Sequence, residues 1–234
     1  IHYSKIVIIC LILVNFKRII FKVISLVYYY CYFSNMDLKD LKNYLNTKRR
    51  DFANKPFTEN MANNDPFKQY AIWFDEAVSA EVLDPYAACL STVDNNGQPS
   101  SRMVYIRDVI SNGFVFYTNY NSAKGTDLSF NQLGAFNVFW GDLERQIRIQ
   151  GIIEKVDDSI SDEYFNARPR PSKIGAWASY QSGTLSGREE LENNIKQIEE
   201  NFDGKDIPRP DFWGGYCLSP NKMEFWQGRP SRLH

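Results

Sequence analysis

Histidine and paired cysteine are what this chain has least of. Its 234 residues hold two histidines, His2 and His234, and four cysteines, Cys10, Cys31, Cys89 and Cys217. No two cysteines have CxxC spacing, which argues against a zinc site or a disulfide framework. A Cys–His dyad inside the chain is excluded. The phosphate and hydrolase signatures GxGxxG, GxxxxGK[ST] and GxSxG are also missing. Charge of one sign is not in excess: 27 basic against 28 acidic side chains leave a net charge of −1. A nucleic-acid binder working through bulk charge is therefore not expected. The apolar stretch 6–14 (IVIICLILV) is too short to span a bilayer, which takes about 20 residues. Aromatic residues are not scarce. At 15% of the chain they exclude a disordered polymer. The length suffices for a sizeable core without a metal or disulfides.

The first 35 residues differ from the rest. They carry Lys5, Lys17, Arg18 and Lys22 and no acid, which leaves 23 basic and 28 acidic side chains in 36–234. A basic residue before a short apolar run has the shape of a signal peptide, yet no small-residue cleavage site follows it directly. We expect Met36 to open the protein proper, with 1–35 as translated upstream sequence. A targeting or anchoring segment is the alternative. Leu38, Leu41 and Leu45 then mark one helix face, and 54–66 is a polar linker with two prolines. The organisation expected is a non-domain segment over 1–35, an N-terminal helix and linker or lid over 36–66, and one domain over 67–234.

That domain reads as mainly β with flanking helices. Asp65-Pro66 starts a helix over 67–82. Strands are expected at 87–93, 101–109, 114–118, 134–140 and 146–156, then at 214–219 and 222–227. Asp94-Asn95-Asn96-Gly97 and Ser111-Asn112-Gly113 supply turns. Ile147, Ile149 and Ile153 alternate with Arg148, Gln150 and Glu154, so one face of that strand is buried; Gly151 marks a bulge or bend. Helices are expected at 159–167 and 188–202. Many short antiparallel strands with few helices suggest a closed or nearly closed barrel.

Cations flanked by hydroxyls and aromatics are the chemistry on offer. Arg102 and Arg107 fall in one expected strand. An offset of five puts them on opposite faces if the strand is regular, where they could serve two different anions. The plainer reading is one surface and one ion-paired arginine. Tyr117, Thr118, Ser122 and Lys124 form a strand end and loop rich in donors, which is either a phosphate holder or a solvated loop. Tyr164 and Arg168 share a helix face, and Ser172 follows past two prolines. The three make a second phosphate cradle or an ordinary helix surface. Gln146, Gln181, Ser182, Trp226, Arg232 and His234 carry no argument singly.

Taken in order, the segments Arg102-Met103-Val104, Tyr117-Thr118-Asn119, Leu143-Glu144-Arg145-Gln146, Arg168-Pro169-Arg170-Pro171-Ser172, Ile174-Gly175-Ala176-Trp177, Gln181-Ser182, Phe212-Trp213-Gly214-Gly215 and Glu224-Phe225-Trp226-Gln227-Gly228 closely resemble the pyridoxamine 5′-phosphate oxidase family. The likeness runs from about Arg49 to His234. It implies a cytoplasmic homodimer with an antiparallel, Greek-key FMN-binding split β-barrel, and FMN at the subunit interface. The implied reaction oxidises pyridoxamine or pyridoxine 5′-phosphate to pyridoxal 5′-phosphate, with O2 reduced to H2O2, and uses neither metal nor nucleic acid.

By position, the resemblance gives the FMN phosphate to Arg102 and Lys124, with Ser122 beside them. Tyr117, Thr118, Gln181 and Ser182 would add hydrogen bonds. Met103, Val104 and Tyr105 would line the flavin, and Gln146 and Trp226 would touch its ring region. The substrate phosphate would fall to Arg107, Tyr164, Arg168 and Ser172. Arg232 and His234 would face the pyridine ring as the catalytic pair, and Arg49 would belong to a lid. Arg107 stands where the family usually has Lys, Ala123 where it often has Arg, and Phe52 where it has Tyr. The family pattern continues past His234 with a further flavin-contacting Arg and a strand, so we expect the sequence given to be a fragment. A flavin split-barrel reductase of other substrate and a non-catalytic binder of FMN or pyridoxal phosphate are the competing readings.

Overall fold

A computed structural model describes residues 38–48, 50–53, 56–110 and 113–232, the last without its side chain. The expectations for 1–35, Arg49, the Ser111-Asn112 turn, the Arg232 side chain and His234 lie outside the described residues. The chain divides into two units, 1–51 and 52–234. The first holds helix α1 (Leu38–Thr47), none of whose residues is buried. No described helix is long and apolar enough to cross a membrane.

The second unit begins with α2 (Pro66–Ser79). Asp65 accepts from the backbone N–H of Phe67 at 2.9 Å, and Pro66 sits at the first helical position, where its missing N–H costs nothing. Among the described residues seven strands follow: β1 (Ala87–Val93), β2 (Pro99–Tyr105), β3 (Asp108–Ile110), β4 (Gly113–Asn119), β5 (Leu133–Trp140), β6 (Arg145–Lys155) and β7 (Trp213–Gln227). Helix α3 (Ala123–Phe130) lies between β4 and β5. Helices α4 (Asp158–Ala167), α5 (Arg170–Ala178) and α6 (Arg188–Asn201) lie between β6 and β7.

All the pairings are antiparallel and the order is β2-β1-β5-β6-β7-β4-β3. The two edge strands, β2 and β3, are consecutive in sequence and joined only by Ile106 and Arg107. Three Cα steps span at most about 11 Å, so the sheet must curl until its edges nearly meet. The corner makes the switch within one residue. Ile106 N–H donates to Tyr86 O at 2.9 Å on the β1 side, and Arg107 N–H donates to Val115 O at 2.8 Å on β4. This is the split-barrel architecture expected from the sequence.

The barrel interior is apolar. Leu90, Phe114, Phe116, Phe136, Ile147, Ile149, Ile153 and Leu218 are all at most 1% exposed, and Tyr70, Trp73 and Ala77 of α2 pack against them. Each such side chain contributes about 1.5–3 kcal/mol relative to an exposed position. A second apolar cluster, Phe165, Ile174, Ile207 and Trp213, binds the α4–α5–α6 layer to the start of β7. The β6–β7 register shifts between Gln150 and Gly151, as the glycine suggested. A Cβ at Gly151 would fall 2.0 Å from Ser219 O, so this close backbone approach excludes any side chain.

Four expectations are corrected. The strand over 101–109 is two strands, because the barrel turns its corner at 106–107. The donor-rich loop expected at Ser122 and Lys124 is the start of a helix, begun by the Ser122 side chain accepting from Gly125 N–H. The stretch after Pro169 is likewise a helix, since prolines are tolerated in a first turn. The two closing strands are one long strand that continues through Pro220, opposite the bulge.

Candidate functional site

The β2–β3 corner, the C-terminal end of β4, the N-terminus of α3, the α4–α5 turn and the loop at 179–182 converge on one cavity of about 670 Å³. That size is ordinary for a small-molecule site. Arg102, Arg107, Lys124 and Arg168 line it, and among the described residues no carboxylate does. In a chain of net charge −1 this is a local concentration of positive charge. Arg102 and Arg107, expected on opposite strand faces, enter the same cavity because the corner resets the alternation between them.

One group of donors surrounds Lys124. Its Nζ donates to Thr118 Oγ1 at 3.3 Å and to Ser122 Oγ at 3.2 Å. Thr118 Oγ1 donates in turn to Gln181 Oε1 at 2.9 Å. Ser122 is buried beneath the wall and holds the α3 N-terminus, where backbone N–H groups favour an anion. Burial, and then the neighbouring Arg102 charge, push the Lys124 ammonium down to about 8, while Asp127 acts in the opposite direction. Ser182, at the cavity wall, is held in the left-handed region at φ 68°. Such strain outside glycine is uncommon and clusters at sites.

The Arg102 guanidinium is fixed from behind. It donates to Thr92 Oγ1 at 2.6 Å and to Ser100 Oγ at 2.5 Å, and it lies 3.6 Å from Asp127 Oδ2. Arg107 lies over the Tyr105 ring at 4.7 Å and the Tyr86 ring at 4.9 Å.

A second group surrounds Arg168. Its guanidinium lies 4.6 Å over the Trp213 ring, and burial lowers its pKa. Its Nη1 is buried and has no hydrogen-bond partner. A buried, unpartnered N–H on a half-buried guanidinium is costly unless a ligand meets it. Tyr164, also in the wall, stacks on Tyr117 with centroids 3.8 Å apart, and Ser172 lies on α5 nearby in the same cavity. Arg170 anchors α5 by donating to Phe202 O at 2.6 Å and Lys205 O at 2.9 Å.

Thus thirteen positions singled out in the sequence line one cavity: Arg102, Met103, Val104, Tyr105, Arg107, Tyr117, Thr118, Lys124, Tyr164, Arg168, Ser172, Gln181 and Ser182. Ala123 lines it too, and its small side chain leaves room towards an adjoining cavity of about 470 Å³. Gln146 and Trp226 do not line it. They are register partners on β6 and β7, where Phe52 packs edge-on to Trp226 at 5.4 Å. Sequence reasoning assigned no role to Trp213, Asn119, Thr92, Ser100 or Asp127. Asn119 and Trp213 stand within the quoted segments without a role of their own, whereas no local pattern marks Thr92, Ser100 or Asp127, which are brought in by strand pairing and helix placement.

This geometry agrees with comparisons with known proteins. The family model described as pyridoxamine 5′-phosphate oxidase matches residues 74–202, and that described as the pyridoxine 5′-phosphate oxidase C-terminal dimerisation region matches 213–234. A pyridoxine/pyridoxamine 5′-phosphate oxidase of Bordetella pertussis is 50% identical over 186 residues, covering 80% of this chain and 88% of the relative. The same-named protein of Gloeothece citriformis is 46% identical, over 80% and 87%. Among solved structures, PhzG of Burkholderia lata, in complex with tetrahydrophenazine-1-carboxylic acid, superposes with a TM-score of 0.72 at 30% identity, over 77% of this chain and 89% of that one. A pyridoxamine 5′-phosphate oxidase-related, FMN binding protein of Nostoc punctiforme shares the fold at 14% identity, with a TM-score of 0.57 over 72% and 89%. Barrel, cavity and sequence agree: the chain belongs to the pyridoxamine 5′-phosphate oxidase family.

Proposed function

We propose that this protein is a homodimeric FMN-dependent oxidase. It converts pyridoxamine or pyridoxine 5′-phosphate to pyridoxal 5′-phosphate, with O2 as acceptor and H2O2 as product. The observation that carries the reading is the cavity that the described residues line with four cations and no carboxylate, one of the cations being Arg168 with a buried, unpartnered N–H. The polar groups fall into two sets, one around Arg102 and Lys124 and one around Arg168 and Tyr164. Two phosphorylated molecules, cofactor and substrate, would satisfy both.

The donor set fits FMN. Arg102 and Lys124 would hold its phosphate, with Thr118, Ser122, Gln181 and Ser182 around them and 103–105 along the flavin. When bound, FMN would supply the redox chemistry, that of a hydride acceptor that O2 can reoxidise. The chain's own residues bind and orient. Arg168, Tyr164, Ser172 and Arg107 would grip the substrate phosphate and so fix the distance from that anchor to the reacting carbon. The family resemblance assigns the pyridine ring to Arg232 and His234 and a lid role to Arg49; these side chains lie outside the described residues. Gln146 and Trp226, away from this cavity, would reach the flavin of the partner subunit. The match of 213–234 to a dimerisation region supports that arrangement.

The test is anaerobic. Pyridoxine 5′-phosphate added to the FMN-loaded protein should bleach the flavin absorbance near 450 nm, and air should restore it with release of peroxide. Bound flavin that stays unbleached would overturn the oxidase reading and favour a binder or another substrate, such as a carboxylate of the kind seen with PhzG.

A further inference from the structure

Behind the cavity lies a buried carboxylate with no part in the reading above. Asp127, on the inner face of α3, is 8% exposed. Its Oδ2 accepts from Thr92 Oγ1 at 2.5 Å and from Ser100 Oγ at 3.2 Å. Both hydroxyl oxygens also accept from Arg102, at 2.6 and 2.5 Å. A hydroxyl has one proton and two lone pairs, whereas a carboxylate only accepts. Asp127 therefore draws both hydroxyl protons to itself and leaves both oxygens turned towards the guanidinium. The contacts come from β1, β2 and α3, so the arrangement exists only in the folded barrel.

We propose that Asp127 is the positioning residue of the phosphate site: acting through Thr92 and Ser100, it sets the orientation in which Arg102 presents its guanidinium to a bound phosphate. The inference rests on the reading that Arg102 meets the FMN phosphate. It makes a prediction whose sign opposes simple electrostatics. Removing a negative charge behind two cations should tighten an anion by charge alone. Loss of positioning should weaken it. A charge-assisted hydrogen bond out of place corresponds to about tenfold in affinity.

The experiment titrates the full chain and its variants with FMN and with riboflavin, which lacks the phosphate, and follows flavin fluorescence. Asp127→Asn should weaken FMN about tenfold and leave riboflavin unchanged. A general loss of structure would lower both. In an Arg102→Gln background the same change should have no further effect on FMN, because its route has been removed. Asp127→Glu should recover part of the loss. Should Asp127→Asn not fold, Ser100→Ala, at an exposed position, removes one of the two relays and should weaken FMN selectively. FMN binding that is unchanged or tighter in the folded Asn variant, or an undiminished effect without Arg102, overturns the proposal. If Arg102→Gln itself leaves the preference for FMN over riboflavin intact, the failure lies instead in the assignment of the phosphate site.

Discussion

The rings of Tyr117 and Tyr164 lie 3.8 Å apart and 4° from parallel, one on β4 and the other on α4. Trp213 extends the stack, 5.6 Å from Tyr117, and carries the Arg168 guanidinium on its own ring. The helical layer is thus set against the barrel by the aromatic wall that also holds the cation. Burial keeps the Tyr117 hydroxyl protonated, with its pKa pushed up to about 12, so it can donate at any ordinary pH.

Tyr164→Phe should separate stacking from hydrogen bonding. The stack survives, so thermal stability and FMN affinity should hold. KM for the phosphorylated substrate should rise about tenfold if the hydroxyl meets its phosphate. Steady-state kinetics on the FMN-saturated enzyme read this directly, and an unchanged KM would remove Tyr164 from the substrate site.

Arg168→Met should leave the ligand-free protein as stable as before, or more stable by about 1 kcal/mol, because it removes a half-buried cation whose Nη1 is buried and unpartnered. Activity should fall at least a hundredfold, by a rough count of two lost charged hydrogen bonds. Denaturation curves without ligand, beside turnover at saturating FMN, provide the check. A strongly destabilised variant would mean that Arg168 is structural.

Lys124 gives a pH dependence of defined sign. Its pKa is about 8 in the fold against 10.5 for the free side chain. Below pH 8 the buried charge penalises the fold. Between 8 and 10.5 the unfolded chain binds more protons, so the ligand-free protein gains stability from this group as pH rises. FMN affinity runs the other way, full below pH 8 and lost as the ammonium deprotonates. FMN titrations from pH 6.5 to 9.5 should show this fall, and Lys124→Met should flatten it.

Gly125→Ala should cost more than a helix substitution normally does. An added Cβ would lie 2.0 Å from Tyr120 O, a backbone atom that cannot swing aside. Loss of about 2 kcal/mol or more is expected, together with weaker FMN binding, since the same turn carries Ser122 and Lys124. A variant of native melting temperature would show that the α3 N-terminus yields easily.

Much of this fold is legible in the sequence. The alternation Ile147-Arg148-Ile149 on β6, the bulge at Gly151 and the start of α2 at Asp65-Pro66 are local signals with local causes. What escaped depends on closure. Arg102 and Arg107 share a cavity only because the strand breaks where two sheet edges meet, a fact about residues far apart in sequence. Helices α3 and α5 are eight and nine residues long, with a glycine or prolines near their starts. Such segments read as loops, since context rather than propensity makes them helical. The motif order pointed to the cavity residues, but it could not reveal that Gln146 and Trp226 stand together apart from them. Asp127 looks like an ordinary surface acid until β1 and β2 are laid against it.

The strand order has a consequence for biosynthesis. Among the described residues, β4 has only β3 and β7 as strand partners, and β7 begins at Trp213. As the chain leaves the ribosome, β1, β2, β5 and β6 can associate while the β3–β4 hairpin waits, its phenylalanines uncovered, for a strand made almost a hundred residues later. The cavity needs both halves, so it cannot form before β7 has been translated. Nascent chains arrested before Trp213 should be cut by protease in β4 and bind no flavin. Late closure of this kind slows folding and leaves a period in which a chaperone or a like chain can capture the open edge.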